Sequence, residues 1–168
     1  MNQELSYIHV KDFTTQSGFH ISTLQLSYQL FGLELGTAPV VLVNHALTAN
    51  SLVAGEYGWW NQVIGKNKTI DTNKFTIISF NIPGNGYDGL LIENYQDFVA
   101  KDIANLFLIA LRKLGILKLH SIIGGSLGGG IAWEMAVLNS VIATHIIPIA
   151  ADWKSTDWLI ANCSIPEQ

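Results

Sequence analysis

Apolar and polar positions change their rhythm once along this chain, and the change separates two kinds of structure. Leu5 to Phe13 reads as a strand. From His20 to Phe31 the side chains Ile21, Leu24, Leu26, Tyr28 and Leu30 carry the period-two signal of a second strand, with Gly18 and Gly36 as turn residues. The chain therefore starts as an antiparallel pair. Val40-Val41-Leu42-Val43 is then a short run apolar at every position, as in a strand buried on both faces. Trp59 to Ile64 follows as a short helix, and Phe75 to Phe80 as the next strand. Asp97 to Leu114 carries Phe98, Ile103, Leu106, Phe107, Ala110 and Leu114 at helical spacing, and Gly115 ends it. His120 to Ile123 is a strand, Gly129 to Leu138 a helix and Thr144 to Ala150 a strand. Ser155 to Ser164 is a helix capped by Ser155 or Thr156. Strands that alternate with helices predict an α/β chain with a mostly parallel, doubly wound sheet and right-handed crossovers.

Composition narrows the class. The 168 residues suffice for one domain with a sizeable core, and 49% hydrophobic against 13% charged residues means that most segments bury at least one face. The net charge of −4 is spread along the chain. No basic stripe follows a phosphate backbone, which excludes nucleic acid as the expected partner. The lone Cys163 precludes an internal disulfide and reads as a small buried hydrophobe. The start, Met1-Asn2-Gln3-Glu4, lacks a signal peptide's basic and apolar regions, and no apolar run approaches the roughly 18 residues of a membrane span. A cytoplasmic protein is the expectation, so the sequons at Asn67 and Asn162 carry no meaning. No spacing of His, Cys and Asp suggests a metal site.

Chemistry enters at Gly124-Gly125-Ser126-Leu127-Gly128, a G-x-S-x-G pattern with a strand before it and a helix after it. On such a strand-to-helix elbow the serine adopts strained φ/ψ and projects its Oγ from the sheet's C-terminal edge. The adjacent glycines are expected because a Cβ would strike the turning chain. Ser126 is thus the candidate nucleophile. One oxyanion donor is expected from the Leu127 N–H, and another from the loop after the third strand, His45-Ala46-Leu47-Thr48.

With these residues in place the chain resembles the homoserine O-acetyltransferases of the α/β-hydrolase superfamily. The matching pieces are Asn44-His45-Ala46-Leu47-Thr48, Gly58-Trp59-Trp60, Ile70-Asp71-Thr72 and Gly124-Gly125-Ser126-Leu127-Gly128-Gly129 with its helix, and they span about Val40 to Ala151. The resemblance implies an α/β-hydrolase fold and a ping-pong acetyl transfer serving methionine biosynthesis. Acetyl-CoA acylates Ser126, and the γ-hydroxyl of homoserine takes the acetyl group. It implies that the amides of Leu47 and Leu127 form the oxyanion hole, and that His45 shapes its loop without acting as the base. His45, Thr48, Trp59 and Gly125 are expected at the substrate pocket. The implied partners are small molecules, acyl-CoA and homoserine, with no resident cofactor and no membrane. A homodimeric parent is compatible, since the family's dimers are built largely through a lid.

Two departures qualify the resemblance. After the fourth main strand the family carries a G-G-C-x-G-S-T-G-P-like stretch, whereas here the loop is Asn81-Ile82-Pro83-Gly84-Asn85-Gly86-Tyr87-Asp88-Gly89. The fold also orders its triad Ser, Asp, His. After Ser126 only His145, Asp152 and Asp157 suggest themselves, and none suits the missing roles. The expectation is a partial α/β-hydrolase domain over residues 1–168, truncated before the lid and last strands. It would be nearly inactive alone, with a bare apolar edge at Thr144 to Ala150 that lowers its solubility.

Three alternatives stand beside the transferase. One is a serine hydrolase or esterase of the same fold, and another is a non-catalytic binding module. The third is a dinucleotide-binding domain, raised by Gly84-Asn85-Gly86-Tyr87-Asp88-Gly89. It is weakened because the next helical pattern starts only near Tyr95 or Asp97, and Asp102 falls inside a helix. The tryptophans Trp59, Trp60, Trp133, Trp153 and Trp158 read mainly as core or lid-base packing. His9, His20 and His120 read as surface or strand-end residues.

Overall fold

A computed structural model describes residues 4–164. The side chain of Cys163 lies outside the described residues. Eight strands form: β1 (Ser6–Thr14), β2 (His20–Gly32), β3 (Val40–Asn44), β4 (Ile64–Gly65), β5 (Ile70–Asp71), β6 (Thr76–Phe80), β7 (Leu119–Gly125) and β8 (Ala143–Ile149). The helices are α1 (Ala100–Lys113), α2 (Leu127–Leu138) and α3 (Asp157–Ser164). Six strands make one sheet in the order β1-β2-β6-β3-β7-β8. β1 pairs with β2 and β2 with β6 antiparallel. The β6–β3, β3–β7 and β7–β8 pairs are parallel. The α/β class with an antiparallel start feeding a parallel sheet is therefore as the sequence predicts.

The unbroken apolar runs of the inner strands are explained by two cores. Side chains alternate across a strand. Leu42, Ile78, Phe80 and Ile122 enter one core with Leu106, Phe107 and Leu111 of α1 and Ile131 and Met135 of α2. Val41, Val43, Ile77 and Ile123 enter the other. In the first core Phe80 and Phe107 stack with centroids 5.0 Å apart, both at 0% exposure. Among the described residues no helix contributes to the second core. Trp59 to Ile64, expected as one, is a series of turns ending in the two-residue β4, which pairs with β5. Its backbone bonds are spent elsewhere: Trp59 N–H donates to Leu52 O, Asn61 N–H to Gly58 O and Val63 N–H to Trp60 O. Burial of Val53, Ala54, Ile64 and Ile70 against the sheet outweighs local helix formation. In the turn after β5, the Asp71 carboxylate accepts the N–H groups of Asn73 and Asn67 at 2.9 and 3.0 Å. These bonds hold its pKa below the ordinary carboxylate value.

Element ends also shift from expectation. The helix expected from Asp97 is a single 3-10 turn, Tyr95–Asp97, followed by α1. Between them Val99 is extended (φ −110°, ψ 167°), and Asp102 accepts its N–H at 3.0 Å. The same carboxylate accepts Gln16 N–H at 2.8 Å, tying the β1–β2 turn to α1. At the other end Gly115 takes φ +74°, with Gly115 N–H on Arg112 O and Ile116 N–H on Leu111 O. This is a Schellman cap. Thr156, one of the two expected caps, receives the N–H of Leu159 at 3.2 Å to start α3.

β8 is one edge of the sheet, opposite β1. Among the described residues it pairs only with β7, and Ile147 and Ile149 are about four-tenths exposed, at 42% and 43%. Trp153 and Trp158, read as packing residues, are 79% and 74% exposed, because no described element covers the end of β8. Trp60 does pack on the second core. No helix among the described residues is long and apolar enough to cross a membrane.

Asp102 is 4% exposed and serves two backbone donors at once. Asp102→Ala leaves both without their acceptor, and a loss of about 2 kcal/mol in unfolding free energy is expected. Urea titration of both forms measures it, and an unchanged midpoint refutes the capping role.

Candidate functional site

The strand β7 ends at Gly125, α2 begins at Leu127, and the whole reversal falls on Ser126. Its φ of 52° and ψ of −122° lie where an L-residue rarely goes, at a cost on the order of 1–3 kcal/mol. Three contacts impose it. A Cβ on Gly124 would overlap the Gly128 carbonyl. One on Gly128 would overlap the backbone of Asn44 and His45, and one on Gly129 the side chain of Ala151. Gly125 and Gly130 face open space, so the expected steric demand holds for Gly124, Gly128 and Gly129 and not for every glycine of the run. Hydrogen bonds fasten the turn. Ser126 N–H donates to Ile149 O at 2.9 Å, and Gly129 and Gly130 N–H donate to Ser126 O at 2.9 and 3.1 Å. The Ser126 side chain is exposed, and its hydroxyl has no hydrogen-bond partner among the described residues.

The loop after β3 is brought to this elbow by the same close packing. Asn44 lies opposite Gly124 in the β3–β7 ladder, and its Nδ2 donates to Gly128 O at 3.3 Å. His45 follows at 1% exposure. Its Nδ1 lies 2.7 Å from Ala46 O, and its Nε2 accepts Ile82 N–H at 3.0 Å. The ring is thus neutral with the proton on Nδ1. Burial lowers its pKa, against a smaller opposing effect of the Ala46 carbonyl. Next, Ala49 N–H donates to Ala46 O at 3.0 Å and closes a turn whose tip is Leu47-Thr48, both exposed. The Leu47 N–H has no acceptor among the described residues. Leu127 opens α2, so its N–H has none within the helix. A free hydroxyl, a helix N-terminus without acidic residues in its first turn and an open amide loop therefore share one end of the sheet.

The remaining expected site residues are distributed as follows. Thr48 is exposed beside Leu47. Trp59 is 38% exposed, stacks on Trp60 at 5.0 Å and donates its indole N–H to Asn50 O at 2.8 Å, bracing the same loop. His145 is set against His120, rings 5.1 Å apart, near the opposite end of the strands. It pairs with Ser121, and the five steps from there to Ser126 span about 16 Å. Asp152 and Asp157 are exposed past β8. The run Gly84 to Gly89 forms turns, with positive φ at Gly84, Gly86 and Gly89, and α1 starts only at Ala100, so no helix N-terminus meets these glycines. A cleft of about 550 Å³ lies elsewhere, between β2 residues 20–27 and loop residues 81–94. Sequence reasoning missed a buried polar cluster around Asn81. Ser27 and Gln29 fall on the polar side of the period-two alternation of β2 and so read as solvent-facing, although they and Asn81 are buried, at 1%, 2% and 2% exposure.

Comparison with known proteins identifies the fold family. The model of the alpha/beta hydrolase fold family matches residues 39–153. A homoserine O-acetyltransferase of Corynebacterium diphtheriae is 31% identical over 167 residues, which is 93% of this chain and 44% of that protein. Among solved structures, the homoserine O-acetyltransferase of Staphylococcus aureus superposes with a TM-score of 0.81 at 28% identity, over 94% of this chain and 49% of that one. Esterase E22 gives 0.82 at 27%, over 94% and 50%. The chain thus spans about half the length of the relatives it matches. Similar in sequence to homoserine O-acetyltransferases and built around a serine elbow, it belongs to the α/β-hydrolase fold family.

Proposed function

We propose that this chain is the nucleophile-bearing part of a serine-dependent O-acyltransferase that moves an acetyl group from acetyl-CoA to the γ-hydroxyl of homoserine. The observation that carries this reading is Ser126, held in a left-handed conformation with its hydroxyl free at the N-terminus of α2 and the Leu47 loop packed alongside. Ser126 Oγ attacks the thioester carbonyl. The carbonyl oxygen becomes an anion received by the N–H groups of Leu47 and Leu127, each worth about 3 kcal/mol in the transition state. Collapse breaks the C–S bond and releases CoA, the serine proton leaving with the sulfur. The homoserine hydroxyl then attacks the acyl-serine, its proton returns to Ser126, and O-acetylhomoserine departs. Acetyl-CoA is a substrate here, and no resident cofactor takes part.

His45 is not the base of this cycle, because both ring nitrogens are engaged and the ring is buried. The general base comes from outside the described residues. Hydrolysis of an acetyl ester is the second reading, supported by the likeness to esterase E22. Water then replaces homoserine in the second half-reaction.

Incubation with labelled acetyl-CoA followed by peptide mass spectrometry is expected to place one acetyl group on Ser126, and Ser126→Ala to remove it. Label on another residue, or full turnover in Ser126→Ala, overturns the proposal. Release of the label by homoserine supports transfer, and release by water alone supports hydrolysis.

A second expectation concerns acid. His45 has a folded-state pKa below its ordinary 6.5, so the unfolded chain takes up a proton first as pH falls. The stabilisation is complete above that value and is lost progressively as pH falls from it toward the folded-state pKa. Urea midpoints measured from about pH 7.5 to about pH 5.5 should decline, and His45→Gln, which cannot titrate, should decline less. Parallel curves for the two proteins rule out His45 as the source.

A further inference from the structure

The polar side chains at the exit of β6 form one largely buried cluster drawn from three segments. Asn81, 2% exposed, is its centre. Its Nδ2 group donates to Ser27 Oγ at 2.9 Å and to Ser51 Oγ at 3.0 Å. Its Oδ1 accepts Ser51 N–H at 2.8 Å and Asn85 Nδ2 at 3.1 Å. A carboxamide offers two donors and two acceptor sites, and here all four are used. The two serine hydroxyls, having accepted, donate outward: Ser27 to Asp88 Oδ2 and Ser51 to Gln29 Oε1, each at 2.6 Å.

The cluster holds more than the core. The loop from His45 to Ser51 is fastened at its two ends to adjacent residues of one other segment. Ser51 N–H is taken by the Asn81 side chain, and His45 Nε2 takes the N–H of Ile82. Between these clamps stands the turn that carries Leu47, 71% exposed. Its tip is exposed, so the direction of the Leu47 N–H depends on the two clamps, on the Ala49 N–H bond to Ala46 O that closes the turn and on the Trp59 bond to Asn50 O.

We propose that Asn81 is a positioning residue for the candidate oxyanion hole: its carboxamide sets the distal end of the loop so that the Leu47 N–H points at the oxygen that becomes charged on Ser126. This rests on the reading of Ser126 and Leu47 given above. A group that only stabilised the core would change how much protein is folded. A positioning group changes the rate at each folded site, since a misplacement of about 1 Å in a preorganised site costs up to 100-fold.

The test is first-turnover acylation by p-nitrophenyl acetate in the polypeptide that carries this chain, with competent sites counted from the burst amplitude. Three variants are compared with the parent, alongside their urea midpoints and their affinity for CoA. Asn81→Ala is expected to slow acylation about 10- to 100-fold per competent site with CoA affinity unchanged. Asn81→Asp keeps an acceptor for Ser51 N–H and gives up the donors, so it recovers most of the rate while remaining destabilised. Ser27→Ala removes one acceptor of Asn81 Nδ2 and the branch to Asp88 but leaves the Asn81 Oδ1 bond to Ser51 N–H, so it lowers stability and leaves the rate within about threefold. Wild-type acylation per site in Asn81→Ala overturns the inference and leaves the nucleophile reading standing. Rates that track stability across all three variants overturn it as well. A parent with no acyl group on Ser126 refutes the nucleophile reading, and this inference with it.

Discussion

The close approach of α2 to the end of β3 is the contact on which the site depends. It is a backbone-to-backbone contact, with Gly128 lying on Asn44 and His45 with no room for a Cβ. That proximity leaves a single residue in which to reverse from β7 into α2, and the reversal forces Ser126 to positive φ. The strain, on the order of 1–3 kcal/mol, is sustained by surroundings that over-determine it. Three backbone hydrogen bonds hold Ser126 or its carbonyl, and α2 buries Ile131, Ala132 and Met135 at 0% exposure. An ordinary hydrogen bond contributes about 1 kcal/mol and a buried aliphatic side chain about 2. The elbow is therefore stable although its central residue is not relaxed.

The same contact explains why the loop of His45 carries polar anchors. Backbone packed this tightly leaves the residues after Asn44 little apolar surface to bury, so they are held by hydrogen bonds. His45 is committed to the neutral form because its Nε2 must accept an N–H, and Asn81 spends two of its four side-chain hydrogen bonds on Ser51 and the others on Ser27 and Asn85. A half-satisfied network at this depth would cost more than an apolar one. The completeness of the Asn81 bonds lets polar groups sit beside Phe80 and Val43 without destabilising the sheet.

The strands were legible in the sequence because each inner strand packs both faces, and β-branched runs such as Val40 to Val43 record that directly. The elbow was legible because its glycines answer local steric demands at Gly124 and Gly128. The segment from Trp59 to Ile64 was not legible. Its apolar spacing fits a helix, yet its conformation is set by contacts with the second face of the sheet and by Leu52, which a local pattern does not encode. The start of α1 was read too early because Phe98 continues the apolar period while the Asp102 carboxylate, three residues past the cap, fixes the true boundary. The Asn81 cluster escaped for a similar reason. Ser27, Ser51 and Asn81 stand far apart in sequence, and only the placement of β6 between β2 and β3 in the sheet brings them within hydrogen-bonding distance.

On the proposed reading, the described residues hold one half of an acyl-transfer site. Stabilisation of a developing oxyanion needs N–H groups and a helix terminus, and the N-terminus of α2 and the turn of Leu47 lie at the end of the sheet that carries Ser126. Removal of the serine proton needs a base within about 3 Å, and the exposed hydroxyl has no such partner here. The two histidines that β7 and β8 do supply, His120 and His145, sit against one another near the other end of the sheet. The asymmetry matches the exposure of the fold: β3 and β6 are buried at every position, while β8 and the tryptophans beyond it are open. Whatever supplies the base must approach Ser126 from outside the two cores. The open side of the described residues lies past β8, where Ile149 O holds the amide of Ser126 and Ile147 and Ile149 stay partly exposed.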